Sequence, residues 1–205
     1  GLMAILLSSL LKDKPAFQEE SPEKMEVPEK TAKVGFLSYF KYWKVADPVY
    51  RKLIIGLLVF TLLNSSDVFL LLFVRTRLQD VFLADPKLAD TWMIGIYIFF
   101  NLVYALFSYP IGILADRIGL KTMLVAGLLI FAIVYTGMGF ASSTWVFVIL
   151  FFFYGLYNAS TEGISKALIS NVARKSETAT AIGFYTGFAS IFTLLASSLG
   201  GLIWI

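Results

Sequence analysis

The chain contains neither cysteine nor histidine. The first absence excludes disulfides and thiol nucleophiles, the second excludes imidazole bases, and together they remove the usual zinc ligands. An HExxH site is impossible, and no two candidate spans carry paired aspartates, so an intramembrane enzyme is strongly disfavoured. Charge is scarce as well. Only 15% of the 205 residues are charged, against roughly 25% in an average soluble domain. The formal net charge of +3 is small, and nothing in it suggests nucleic acid. No cofactor and no metal are called for.

What fills the space is apolar: 58% of the chain is hydrophobic. These residues come in blocks of about 20, long enough as helices to cross a hydrocarbon core of about 30 Å at about 1.5 Å per residue. The expectation is an all-α, polytopic transmembrane helical bundle. Five spans are placed at about 51–74, 91–114, 122–140, 144–170 and 178–205. Before them, "GLMAILLSSLL" at 1–11 is too short to span and reads as the end of a transmembrane helix. Residues 12–33 carry mixed charge and three prolines, as a solvated linker does. Then "VGFLSYFKYWK" at 34–44 interleaves aromatics with lysines, the pattern of a helix lying in the headgroup layer. In "ADP" at 46–48, Asp47 can cap a helix that Pro48 begins. Both ends are apolar, and the chain is expected to be a piece of a longer protein.

Orientation follows from the connections. Residues 12–52 hold nine Lys or Arg, and the turns at 115–121 and 171–177 hold two each. The alternate connections hold three at 75–90 and none at 141–143. Since cytoplasmic loops are the basic ones, segment 12–50 is expected in the cytoplasm and the last span is expected to end outside, in a cell (inner or plasma) membrane. Trp92, Trp145 and Trp204 fall at expected outer helix ends, and Trp43 on the inner side, as interface-seeking side chains should.

Polar residues within the spans line up at helical spacing. Tyr154, Asn158, Thr161, Glu162, Ser165 and Lys166 share one face. Tyr97, Asn101, Tyr104 and Ser108 repeat the pattern, as do Thr186, Ser190, Thr193 and Ser197. The first span has Thr61, Asn64 and Asp67 on one side. Span 122–140 offers only Tyr135 and Thr136 in its middle, so it should face lipid. Asp67, Glu162 and Lys166 would each cost roughly 2.5–3.5 kcal/mol near the bilayer centre, together about 8–10 kcal/mol. Such groups must line water or find partners. Glu162 precedes Lys166 by four residues, so the two can pair across one helical turn or line a solute or proton path. Asp67 has no partner in its own span; it either serves function, proton coupling included, or makes a structural bond to a neighbouring helix or to residues outside this stretch.

One short stretch spends charge between two apolar runs. "GILADRIGLKTML", 112–124, holds Gly112, Asp116, Arg117, Gly119 and Lys121. A reversal this tight needs small residues, a carboxylate there can meet the positive end of another helix, and the cations can reach carboxylates or lipid phosphates. The stretch resembles the signature loop of the major facilitator superfamily, GxLaDRxGRKxxL, departing from it at Leu120, where a second basic residue is usual. "NSSDVFLLL" at 64–72 and "TEGISKALI" at 161–169 are similar to the seventh and tenth helices of bacterial permeases of that superfamily.

The resemblance implies the second half of such a protein: 1–11 as the end of helix six, 12–50 as the central linker, 51–205 as helices seven to eleven. The first half-bundle and helix twelve are then partners supplied from outside these residues. It implies a secondary transporter of a small solute that works by alternating access, with Asn64, Asp67, Asn101, Tyr104, Tyr154, Asn158, Glu162 and Lys166 on the substrate or proton pathway. Gly112, Asp116, Arg117, Gly119 and Lys121 become a cytosolic gate that latches the two half-bundles. Protons are a candidate coupling ion, because burial can bring a carboxylate into a useful titration range. The alternative is a transporter-like membrane sensor or docking protein. Gly183 and Gly187, and Ala196 with Gly200, allow close helix approach for gating or for static packing alike.

Overall fold

The computed structural model describes residues 42–64, 66–83 and 85–204. The expectations for residues 1–41, including most of the interfacial helix, lie outside the described residues. Among the described residues the long elements are all helical: α1 (Pro48–Leu63), α2 (Asp67–Val81), α3 (Pro86–Ile118), α4 (Leu120–Phe140), α5 (Thr144–Val172) and α6 (Thr178–Trp204), with a 3₁₀ turn at Lys175–Glu177 before α6. The chain has five stretches long and apolar enough to cross a membrane, α1 and α2 together counting as one.

Local chemistry sets where these helices begin. The Asp47 carboxylate accepts from the Val49 amide at 2.7 Å, and Pro48 opens α1. Asp85 accepts from the Lys87 amide at 3.1 Å, and Pro86 opens α3. Each pair satisfies an amide that the helix leaves unpaired and pre-sets the first turn. Pro110 sits inside α3, where it deletes one ladder hydrogen bond.

Two connections differ from the sequence expectation. The first span is not one helix: α1 stops at Leu63, and α2 restarts at Asp67 behind Ser66, whose hydroxyl accepts from the Val68 amide at 3.4 Å. Asn, Ser and Asp compete with the ladder through their own side chains, which is why "NSSD" breaks an otherwise apolar helix. At the other site the expected seven-residue turn shrinks to one residue. Helix α3 runs to Ile118 and α4 starts at Leu120, so Gly119 alone makes the corner at φ 95 and ψ 137. That is backbone only glycine adopts comfortably. Gly119→Ala should therefore destabilise the bundle by about 1–3 kcal/mol, read as a lowered unfolding temperature of the detergent-solubilised protein.

Helix α5 is the hub, packing along α3 and α4 and also touching α6 and α1. Its two main contacts are made close by glycine. A Cβ on Gly155 would come within 2.8 Å of Val103 on α3, and one on Gly127 of α4 within 2.8 Å of Thr161. Such close approach replaces the hydrophobic drive that lipid does not supply. Two aromatic-rich cores mark the ends of the bundle. One gathers Tyr50, Ala115, Met123, Ile169 and Ala181, with the Tyr50 hydroxyl donating to the Ala181 carbonyl at 3.0 Å. Trp43 stacks on Phe184 there, ring centroids 5.2 Å apart. The other gathers Leu78, Ala89, Met138 and Phe147, where Trp92 meets Trp145 edge-on at 6.0 Å.

Helix α4 is only half as expected. Val125, Leu129, Ile133 and Phe140 form an exposed apolar face, which suits lipid. Tyr135, however, points inward: its hydroxyl donates to the Asn64 side chain at 3.2 Å. A tyrosine at mid-helix carries a polar tip that must find a partner when buried, and the α1 terminus provides it.

Candidate functional site

The break between α1 and α2 is where the polar stripes converge. Asn64, at the end of α1, is held by two tyrosines: it accepts from Tyr135 of α4 and donates its amide to the Tyr157 hydroxyl of α5 at 3.2 Å. Asp67 opens α2, where the positive end of the helix favours a negative charge. The Tyr154 hydroxyl donates to its Oδ1 at 2.6 Å. The partner that Asp67 lacks in its own span thus comes from α5.

Two turns further along α5 from Tyr154, Glu162 is bonded through both oxygens. The Tyr104 hydroxyl of α3 donates to Oε2 at 2.7 Å, and Lys166 Nζ lies 3.2 Å from Oε1. The pair allowed by the i, i+4 spacing is therefore formed. It is half open, with the Glu162 side chain 54% and the Lys166 side chain 43% exposed. In a bundle with an open face these numbers place both groups at the rim, where an ion pair contributes modestly.

Between these groups lies a cavity of about 310 Å³, at the lower end of ligand-pocket sizes. Asn64, Asp67, Asn158 and Glu162 all line it, together with Thr61, Thr161, Ser165 and Thr193. Tyr104, Tyr154 and Lys166 reach it only through the carboxylates they hold. Asn101 does not line it: that side chain is exposed and donates to the Tyr97 carbonyl of its own helix at 2.8 Å. Three lining aromatics were not singled out from sequence: Phe60, Tyr157 and Tyr185. Phe60 has no polar group to mark it, and Tyr157 stands off the Tyr154, Asn158, Glu162 line. Phe131 supports the wall behind Tyr157 at 4.9 Å between centroids.

The signature residues lie elsewhere, at the α3/α4 joint. Asp116 and Arg117 occupy the last turn of α3, and Lys121 the first turn of α4, all exposed. Among the described residues none of the three has a side-chain hydrogen bond or ion pair. A second cavity of about 300 Å³ runs from Tyr104 and Ser108 past Gly112 to Asp116, with Ala159 and Gly163 of α5 opposite. The motif and the Glu162 region thus share the α3/α5 groove.

Among the described residues no cluster of His, Cys, Asp and Glu could hold a metal ion. The arrangement can bind and orient a solute, offer a carboxylate to a proton or cation, and hinge at the α1/α2 break.

Comparison with known proteins agrees with this architecture. The family model for the Major Facilitator Superfamily matches residues 78–204. An uncharacterised MFS-type transporter of Methanocaldococcus jannaschii is 35% identical over 147 residues, which are 71% of this chain and 36% of that protein. The class H tetracycline resistance protein of Pasteurella multocida is 27% identical over 156 residues, 75% of this chain and 38% of that one. The uncharacterised MFS-type transporter YqjV of Bacillus subtilis is 27% identical over 137 residues, 66% and 31% of the two chains. No solved structure matches. The chain spans roughly a third of the length of these relatives. With a family match across more than half its length, five membrane-capable stretches and the signature residues at a one-residue helix joint, this chain is a multi-pass membrane protein and belongs to the Major Facilitator Superfamily.

Proposed function

We propose that these residues are the C-terminal half of a secondary transporter that moves a small solute by alternating access. In this reading α1 with α2 is helix seven, and α3, α4, α5 and α6 are helices eight to eleven. Residues 12–50 are the cytoplasmic linker, and 1–11 the end of helix six. The observation that carries it is the cavity at the α1/α2 break: interrupted helices around a polar site at mid-span are the architecture on which two half-bundles rock. The relatives' printed names, MFS-type transporter and tetracycline resistance protein, fit the same reading. Asp67 and Glu162 are the candidate proton carriers, and Asp116, Arg117 and Lys121 the gate facing the cytoplasm.

Access is the direct test. The chain is naturally free of cysteine, so Asn158→Cys and Glu162→Cys can be introduced singly into the full-length protein after any cysteines outside these residues are removed. In sealed vesicles, a membrane-impermeant thiol reagent should reach each site from either face, with the balance shifting when solute is added. Labelling from one face only, unmoved by any solute, would leave a sensor or docking protein in place of a transporter.

A further inference from the structure

The charge balance of the cavity narrows what it takes. Among the described residues its lining includes two carboxylates, Asp67 and Glu162, and no lysine or arginine. These two acids are not equivalent. Glu162 spends both oxygens, and Lys166 offsets its charge. Asp67 spends only Oδ1, and its partner Tyr154 is a neutral donor. Among the described residues no cation pairs with Asp67 and no donor meets its Oδ2. The buried side-chain oxygens and nitrogens among the described residues all have partners, so Oδ2 is not sealed inside the protein, and Asp67 lines the cavity. Among the described residues this carboxylate has no cation to offset it.

The walls around it are aromatic. Phe60, Tyr157 and Tyr185 line the same space, with Leu57, Leu124 and Leu128. Ring faces attract a cation through their quadrupole, most strongly once it is desolvated, and they receive substituted ammonium groups well. An anion would meet an uncompensated carboxylate in the same volume and be repelled. A dication would exceed the single free charge.

We propose that this cavity recognises a monovalent organic cation with an apolar or aromatic body, its positive group on Asp67 Oδ2 and its body against Phe60, Tyr157 and Tyr185. The proposal rests on the transporter reading only for what happens after binding; recognition itself needs no turnover.

The test uses two probes of similar size and opposite sign, phenyltrimethylammonium and benzenesulfonate, titrated calorimetrically into the full-length protein in detergent. Phenyltrimethylammonium should bind at least tenfold more tightly. Asp67→Asn should erase that preference, and Asp67→Glu should keep it. Equal affinities, a preference for the sulfonate, or a preference untouched by Asp67→Asn would each overturn the proposal. Should the amide variant not fold, Tyr185→Leu serves instead: a loss of at least threefold in cation affinity with the sulfonate unchanged supports the site, and no loss overturns it. Counterflow of the same probes in liposomes separates the two readings. Cation binding without flux of either probe sinks the transporter reading and leaves the cation site, whereas sulfonate flux without cation binding does the reverse.

Discussion

Replacing Asp67 by asparagine in the full-length protein is expected to abolish pH-driven uptake into liposomes. The amide has nearly the same shape and still accepts the Tyr154 hydroxyl, which lies 2.6 Å from Oδ1 in the native chain, so the bundle should assemble normally. What it loses is the negative charge and the capacity to take up a proton. Flux should fall to the level of empty liposomes, and Asp67→Glu should retain part of it. The hydroxyl that positions the carboxylate gives a graded companion. Tyr154→Phe deletes a hydrogen bond to a charged group worth about 1.5–3 kcal/mol, so flux should drop about tenfold or more without vanishing. Full activity in Asp67→Asn would remove this residue from the proposed coupling and leave Glu162 as the candidate.

The second large effect is on assembly. Gly155→Val should destabilise the bundle by more than the roughly 1–3 kcal/mol typical of an overpacked core, and Gly155→Ala by about that amount. A Cβ there would sit 2.8 Å from Val103 Cγ1 and 3.1 Å from the Phe100 carbonyl oxygen. The first atom belongs to a stiff β-branched side chain and the second to backbone, so neither can give way cheaply. Gly163, two turns along the same helix, has open space where a Cβ would stand, with nothing within 4 Å. Gly163→Ala should be neutral or stabilising by up to about 1 kcal/mol through helix propensity. Thermal unfolding of the two alanine variants, followed in parallel in detergent, makes the comparison. Equal stabilities would show that α3 and α5 are not in close contact at Gly155.

Helix α5, which carries both glycines, also shows how far the sequence could be read. That α5 would carry a polar face was visible from the spacing of Asn158, Glu162 and Lys166, because positions four apart on a helix share a side whatever surrounds it. The Glu162–Lys166 pair follows from the same geometry, and its 3.2 Å separation is what the spacing allows. Asp47 with Pro48 could likewise be read as a helix start, since capping involves only neighbours in the chain.

Contacts between helices were another matter. Nothing in the spacing of α4 says that Tyr135 turns inward to Asn64, because, Thr136 apart, the residues around it are apolar or glycine and give no face preference. The interruption at Asn64 was hidden for a related reason: "NSSD" lies inside a run long enough to pass as one span, and hydropathy averages over it. Asn101 is the converse case. Its place in a polar stripe suggested the pathway, yet on its own helix a carbonyl lies near enough to satisfy it, and there it bonds.

By itself the sequence determined that this chain crosses a membrane, where its cations cluster, which carboxylates lie within spans, and that a signature joint separates two of them. These are properties of composition and of fixed distances along one helix. Only the tertiary structure decided which donors reach the two carboxylates from other helices, Tyr104 to Glu162 and Tyr154 to Asp67, and that among the described residues no cation pairs with Asp67. Glycine contacts at Gly127 and Gly155 set how near α3 and α4 approach α5, and the approach of α3 is what brings the Tyr104 hydroxyl to Glu162.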